Sequence, residues 1–262
     1  MGKNSQGKLT FNIHNMTDEV IVEVLGCGDA FASGGNFNTC YYVHSASFQL
    51  LLDCGATSLL ALKKNLINTS DIDLIAISHF HGDHFGGLPF FILDASTHGR
   101  TKPLTIISPP GCEEKVKQSI ELFYPGSSDI LKKFPINFIS YNAHEPIDSG
   151  DITLEAIPVV HSEDTLPHGL RIKISGKIIA FSGDTSWTDE LFKIADQADL
   201  FICECNFYDL ELKGHLNYTT IMAYREQFNC KELWLTHFGE EMLKKTQEIE
   251  LDYAWDGRKL VL

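Results

Sequence analysis

The stretch His79-Phe80-His81-Gly82-Asp83-His84 places four candidate metal ligands within six residues. It follows an apolar run, residues 74–78, which is typical of a buried strand. Imidazole nitrogens and carboxylate oxygens are the ligands that zinc and related divalent ions take in proteins. A single histidine would indicate little, whereas four such groups at the end of a strand are hard to explain as packing. The stretch therefore predicts a metal site.

Three further apolar runs end at residues of the same chemical types. Residues 159–160 lead to His161, residues 178–181 lead to Asp184, and residues 233–236 lead to His237. Each run has the pattern of a buried strand, and side chains at strand ends meet at one edge of a layered fold. We therefore expect these residues to join the first four in a site large enough for two metal ions.

Taken in order, these seven residues resemble the metal-binding motifs of the metallo-β-lactamase superfamily. Within it, the chain looks most like the branch that contains ribonuclease Z and smaller phosphodiesterases. The resemblance covers nearly the whole chain and includes residues 24–30, 51–55 and 256–257. It implies an α/β fold, the four-layer αββα sandwich with a dinuclear metal site at one edge of its two sheets. We expect residues 1–262 to form one such hydrolase domain.

The resemblance also implies a role for each ligand. One metal would be held by His79, His81 and His161. The other would be held by Asp83, His84 and His237, with Asp184 bridging the two ions. Zinc is the expected metal, and manganese and iron are the alternatives because His/Asp sites accept them. A metal-bound hydroxide would then attack the substrate, and Asp83 is counted with the catalytic residues.

A second pair of motifs indicates a proton donor. Residues 204–207 and 214–217 look like the ribonuclease Z element in which an acidic residue and a histidine assist proton transfer. By that resemblance His215 protonates the leaving alkoxide, and Glu204 orients or charges it. The alternatives are a surface histidine in a loop and a structural glutamate at a strand end.

The chain departs from this branch in one respect. The members that process transfer RNA carry a long arm between the residues that correspond to His161 and Asp184. Here that interval is 184 − 161 = 23 residues, most of which read as two strands around Gly176. The net charge of −14 also opposes binding to a polyanion. A small-molecule substrate is therefore expected and tRNA is not, while bound metals leave an anionic substrate open.

Two enzyme classes remain. The first is a dinuclear metal-dependent phosphodiesterase that acts on a small or cyclic phosphodiester, which His215 and Glu204 favour. The second is a carboxyl-type hydrolase that acts on a lactone, thioester, lactam or sulfate-like ester. A binding protein that kept the fold without catalysis is a third alternative, and the complete ligand set argues against it.

Composition fits a compact enzyme. The chain has 262 residues, of which 44% are hydrophobic, and no apolar run approaches the roughly 20 residues of a membrane span. Residues 1–18 lack the apolar stretch of a secretory signal. The seven cysteines are odd in number and irregular in spacing, which favours reduced thiols and a cytoplasmic location. A homodimer is left open.

Two local features have structural alternatives. The glycine-bearing loop, residues 26–35, either borders the active site, as in the resembled family, or is a plain tight turn. Cys203 and Cys205 alternate along a predicted strand, and we interpret them as small strand fillers, since the His/Asp ligand set is already complete.

Overall fold

The computed structural model describes residues 19–262, so the expectation for residues 1–18 lies outside the described part of the chain. The strands are β1 (Ile21–Gly26), β2 (Cys40–His44), β3 (Gln49–Leu52), β4 (Leu74–Ala76), β5 (Leu104–Ser108), β6 (Ile136–Ser140), β7 (Ile147–Ser149), β8 (Ile152–Pro158), β9 (His168–Ile174), β10 (Lys177–Phe181), β11 (Ala198–Glu204), β12 (Cys230–Thr236) and β13 (Lys259–Val261). The helices are α1 (Ser58–Lys64), α2 (Gly82–Phe85), α3 (Leu88–Thr97), α4 (Cys112–Phe123), α5 (Glu190–Ala195), α6 (Tyr218–Tyr224) and α7 (Glu240–Lys244). Short 3-10 turns cover Ser33–Gly35, Ser128–Lys132, Glu163–Thr165, Arg225–Gln227 and Thr246–Glu248.

The strands form two sheets. One has the order β13-β1-β2-β3-β4-β5-β6 and the other has the order β12-β11-β10-β9-β8-β7. In each sheet one part is antiparallel and the other is parallel, with β3 to β6 parallel in the first sheet and β10 to β12 parallel in the second. The two halves of the chain thus repeat one mixed arrangement, which sequence identity alone did not reveal.

Three hydrophobic clusters hold the layers together. Strand β3 contributes to two of them. Leu50 and Leu52 belong to the cluster between the sheets, and Leu51 belongs to the cluster under α1, α3 and α4. The third cluster lies between the second sheet and the helices α5, α6 and α7. Successive side chains of a strand point to opposite faces, so a sheet covered on both faces reads as a continuous apolar run. The layers are therefore helix, sheet, sheet and helix, and the predicted αββα sandwich is confirmed.

Most predicted elements match the structure, and two details differ. The motif after β4 was expected only as the end of a strand, and Asp83 and His84 lie inside the four-residue helix α2. Strand β8 ends at Pro158, so Val159 and Val160 are not part of the buried strand that the apolar run suggested. Val160 is 45% exposed, which shows that an apolar residue next to a functional histidine need not belong to the core.

The parallel strands bring the candidate ligands to one edge. Strands β3 and β4 end just before Asp53 and His79, and strands β10 and β12 end just before Asp184 and His237. The carboxyl ends of parallel strands meet at the same edge of a sheet, and ligands gather there. The packing of Gly55 keeps the edge tight, since a Cβ at this position would lie 2.1 Å from the carbonyl oxygen of Asp83. The segment after β3 and the segment that contains Asp83 therefore pack closely, backbone against backbone.

Among the described residues, none of the helices has the length and apolar character that a bilayer crossing requires. All seven cysteines lie in the described part of the chain and are free thiols. Burial raises the pKa of the Cys203 and Cys205 thiols well above the usual value, so neither is poised as a thiolate. Both pack in the cluster under α5 to α7, which agrees with their interpretation as strand fillers.

Candidate active site

The structure brings all seven predicted ligands together in two overlapping groups. One group contains His79, His81, His161 and Asp184, and the other contains Asp83, His84, Asp184 and His237. Within each group the ligand atoms lie within 4.8 Å of one another. Asp184 belongs to both groups, which is the position that a bridging carboxylate requires.

In the first group, imidazole nitrogens face one another closely. His81 Nδ1 lies 3.2 Å from His79 Nε2 and 3.0 Å from His161 Nε2. Both Nε2 atoms lie 3.9 Å from Asp184 Oδ2. Ligand atoms at about 2.0–2.1 Å from a tetrahedral zinc ion are roughly 3.3 Å apart, so the imidazole spacings suit one ion held among them.

The second group has similar spacings around a carboxylate. Asp83 Oδ2 lies 3.2 Å from His237 Nε2 and 3.3 Å from His84 Nε2. Asp184 contributes Oδ1 at 3.2 Å from His84 Nε2 and Oδ2 at 3.4 Å from His237 Nε2. The four side chains are buried, with His84 fully excluded from solvent. These distances are again close to the separation of two ligand atoms bound to one metal ion.

Two buried atoms indicate that a cation belongs between these groups. His84 Nε2 and Asp184 Oδ1 have no hydrogen-bond partner of acceptable geometry among the described residues. A buried polar atom without a partner costs free energy, on the order of 1–3 kcal/mol, and is rare in native proteins. Both atoms have lone pairs directed into the site, so a divalent ion would satisfy them. The residues present therefore fit the metal that the motifs predict.

The protonation preferences of the histidines agree with this interpretation. Burial lowers the pKa values of His79, His81 and His161, which keeps these imidazoles neutral with a free lone pair. For His84 and His237 burial has the same effect, but the neighbouring carboxylates outweigh it and raise the pKa of each imidazole. The carboxylates thus demand positive charge in the second group, and a divalent ion can supply it in place of protons.

Asp53 orients one of the ligands. Its carboxylate is fully buried and accepts hydrogen bonds from His84 Nδ1 at 2.6 Å, Ser78 N at 2.7 Å and Ser78 Oγ at 2.7 Å. Donation by Nδ1 leaves Nε2 of His84 as the ligand atom. Asp53 is also one of the non-glycine residues with a positive φ, at 58°. The sequence did not assign it this role, although a charged residue that ends a buried strand was a signal.

Backbone and amide groups hold two more ligands. His161 Nδ1 donates to the carbonyl oxygen of Gly214 at 2.6 Å, so its Nε2 faces the metal group. Asn206 Nδ2 lies 3.1 Å from His237 Nδ1 and donates to the carbonyl oxygen of His237 at 3.0 Å. Such outer contacts fix the ring orientation of metal-binding histidines. Sequence motifs could not reveal these contacts, because the partners are distant in the chain.

His215 and Glu204 form a pair beside the metal groups. His215 Nδ1 donates to Glu204 Oε1 through a short hydrogen bond, and Leu216 N donates to Glu204 Oε2 at 2.6 Å. The His215 ring lies 5.0 Å from the ring of His161 and 5.8 Å from the ring of His237, measured between centroids. His215 therefore contacts one histidine of each metal group, and its Nε2 is the nitrogen left free by Glu204.

Burial and pairing act on these two groups in opposite directions. Burial raises the pKa of the Glu204 carboxyl, against the hydrogen bond from His215. Burial alone would lower the pKa of His215, but the hydrogen bond and charge of Glu204 outweigh it and the net shift is upward. The pKa of each group is therefore shifted upward, which favours a proton held between His215 and Glu204 beside the metal groups.

The site opens into a cavity of about 800 Å³. Its lining includes His81, Asp83 and Asp184 on one side and His215 with Leu212 on another. The glycine-bearing loop contributes Asp29, Ala30, Phe31 and Ser33 to the lining, and Asn38 follows it in the chain. The loop therefore borders the candidate site, as the resemblance implied, and is not a remote tight turn.

The fold and the paired metal groups define the class of the protein, which is a metal-dependent hydrolase of the metallo-β-lactamase fold. Residues 20–253 match the family described as anti-Pycsar protein Apyc1, and the chain belongs to that family.

Individual relatives agree with this class. Ribonuclease Z of Clostridium acetobutylicum is 26% identical over 300 aligned residues, with 90% of this chain and 96% of the relative covered. The "probable metallo-hydrolase YhfI" of Bacillus subtilis is 27% identical over 222 residues, which cover 82% of this chain and 86% of that protein.

Solved structures share the fold at lower identity. The crystal structure of YhfI from Bacillus subtilis is similar with a TM-score of 0.75 at 23% identity, and the match covers 94% of this chain and 100% of that one. The short form of human tRNase Z matches with a TM-score of 0.73 at 22% identity over 92% of this chain and 98% of that one. The predicted superfamily and branch are thereby confirmed.

Proposed function

We propose that the protein is a dinuclear metal phosphodiesterase that acts on a small or cyclic phosphodiester. The observation that carries this proposal is the His215–Glu204 pair, which stands next to both metal groups but is held by contacts of its own. A phosphodiester releases an alkoxide, which is a poor leaving group and benefits from a positioned acid. Lactams and activated esters gain less from such a group.

Each ligand has a proposed role in this reaction. His79, His81 and His161 hold one ion, and Asp83, His84 and His237 hold the other, with Asp184 between them. We propose zinc for both positions, since the donors are nitrogen and carboxylate oxygen. When bound, such ions activate water and polarise a phosphoryl oxygen. His215 then donates its Nε2 proton to the departing oxygen, and Glu204 keeps the imidazole charged and correctly oriented.

The substrate proposal rests on size and charge. The interval between His161 and Asp184 contains the short turn Glu163–Thr165 and the antiparallel pair β9 and β10, without an inserted arm. The ribonuclease Z relative aligns over 300 positions although this chain has 262 residues, so the alignment contains positions without a counterpart here. Together with the net charge of −14, this supports a small substrate over tRNA.

The remaining expectations follow the same proposal. We infer that the two sheets with their helices form a single hydrolase domain, because one hydrophobic cluster spans both sheets. The seven cysteines are free thiols, six of them buried, which supports a reducing compartment, the cytoplasm.

A substrate panel tests the reaction class. Zinc-loaded protein is assayed with bis-p-nitrophenyl phosphate, p-nitrophenyl acetate, a homoserine lactone and nitrocefin, and Asp184→Ala serves as the inactive control. We expect kcat/KM to be highest for the phosphodiester. Turnover of the lactone or nitrocefin without diesterase activity would instead establish the carboxyl-type hydrolase.

A further inference from the structure

Asp256 lies in the C-terminal segment, far along the chain from the candidate ligands. Its carboxylate is partly buried and accepts two backbone hydrogen bonds, from Cys27 N to Oδ1 at 3.2 Å and from Phe37 N to Oδ2 at 2.8 Å. The Cys27 thiol also donates to Oδ1 at 3.5 Å. One carboxylate therefore joins the start of the glycine-bearing loop, at Cys27, and the residue Phe37 just after the loop to the C-terminal segment.

The loop passes this constraint on to a candidate ligand. The carbonyl oxygen of Cys27 accepts a hydrogen bond from His237 N at 3.0 Å. Asp256 and His237 are thus connected through a single residue, Cys27, whose N–H donates to the carboxylate and whose C=O accepts from the candidate ligand. The charge on Asp256 strengthens the hydrogen bond from Cys27 N, and this bond helps to hold the Cys27 backbone in place.

His237 needs such support because its backbone is strained. Its φ is 63°, in the left-handed region that a non-glycine residue seldom adopts. Strained residues of this kind cost on the order of 1–3 kcal/mol and persist only where surrounding contacts hold them. The contacts here are the hydrogen bond to Cys27 and the one from Asn206 Nδ2 to the carbonyl oxygen of His237. The first of these depends on the position of the Cys27 backbone, which Asp256 anchors at its N–H.

We propose that Asp256 is a positioning residue for the second metal group, acting through the backbone of Cys27 on His237. Its carboxylate lies outside the two ligand groups, so it holds the metal only indirectly. The same carboxylate anchors both sides of the glycine-bearing loop, which supplies Asp29 and Phe31 to the cavity wall. This inference rests on the proposed role of His237 as a ligand and is independent of the substrate.

The test measures zinc affinity by competition with a chelating indicator, so it does not depend on any substrate. Wild type is compared with Asp256→Asn, which keeps one acceptor oxygen, and with Asp256→Ala, which keeps none. We expect one of two zinc ions to bind about 10–100-fold more weakly in Asp256→Ala, with Asp256→Asn in between. Asp252→Asn is the matched control, because this exposed carboxylate pairs only with Arg258 among the described residues and should leave affinity unchanged.

A double-mutant comparison separates positioning from general loosening of the fold. In a His237→Ala background the ligand that Asp256 positions is gone, so Asp256→Asn should weaken zinc binding no further. In a His161→Ala background, which spares the second group, Asp256→Asn should retain its full effect. Equal losses in both backgrounds, or wild-type zinc affinity in Asp256→Ala, would overturn the inference. Unchanged zinc binding in His237→Ala would overturn it together with the ligand assignment.

Discussion

Replacing His215 by alanine should separate substrates according to their leaving groups. The Nδ1 of His215 is committed to buried Glu204, so the variant removes one proton donor, Nε2, from beside both metal groups. A positioned acid contributes ~10²–10⁴-fold to rate. The His215 side chain is 22% exposed, so water can replace part of its function, and we expect the lower limit. The loss on an alkyl phosphodiester should therefore be ~10²-fold, or about 2.7 kcal/mol of transition-state stabilisation.

The assay compares kcat/KM for a dialkyl phosphodiester and for bis-p-nitrophenyl phosphate. The nitrophenolate leaves well without a proton, so its loss should remain below ~10-fold. His98→Ala is the control, because His98 is exposed and lies outside both metal groups. Metal content must stay at two ions per chain in the His215 variant. Equal losses on both substrates would refute the role as an acid, and loss of a metal would show that His215 is a ligand.

Three further results are expected. Asp184→Ala should lower the metal content measured by elemental analysis from about two ions per chain, because Asp184 belongs to both metal groups, whereas His215→Ala should not, because His215 is held by Glu204; equal metal contents in the two variants would contradict the bridging role. Asp53→Asn should weaken zinc binding by about 10–100-fold in a chelator competition, since it removes the charged acceptor of His84 Nδ1, while Asp129→Asn on the exposed surface should have no effect. Phe31→Ala should raise KM several-fold for a diester with an aromatic group, at similar kcat, because this side chain is 90% exposed at the cavity wall; an unchanged KM would exclude the contact.

Much of the fold could be predicted from the sequence, because the relevant signals are local. Strands covered on both faces read as apolar runs, and helices α1, α3 and α4 follow apolar periodicity or glycine stops that are visible within a few residues. Helix α2 was not predicted, because its four residues are too few to show a helical period. The apolar run that ends at Val160 wrongly predicted a buried strand, because hydrophobicity alone does not distinguish such a strand from an exposed loop next to a site.

The candidate ligands were also accessible to sequence reasoning. Six consecutive residues contain His79, His81, Asp83 and His84, and Asp184 closely follows an apolar run. Their chemistry is a property of each residue type, so it can be assigned before any coordinates exist. Their assembly into two groups requires the packing of the two sheets, because each group combines residues that follow strands of both sheets.

What the tertiary structure alone decided is the support around those ligands. Asp53 and His84 are 31 residues apart, and Cys27 and Asp256 are 229 residues apart. No local pattern encodes such contacts, because a hydrogen bond depends on where two segments meet after the sheets have packed. The sequence by itself determined which residues can bind a metal. The packing of the sheets and loops determined which nitrogen of each imidazole faces it, since that choice depends on the partner bound to the opposite nitrogen.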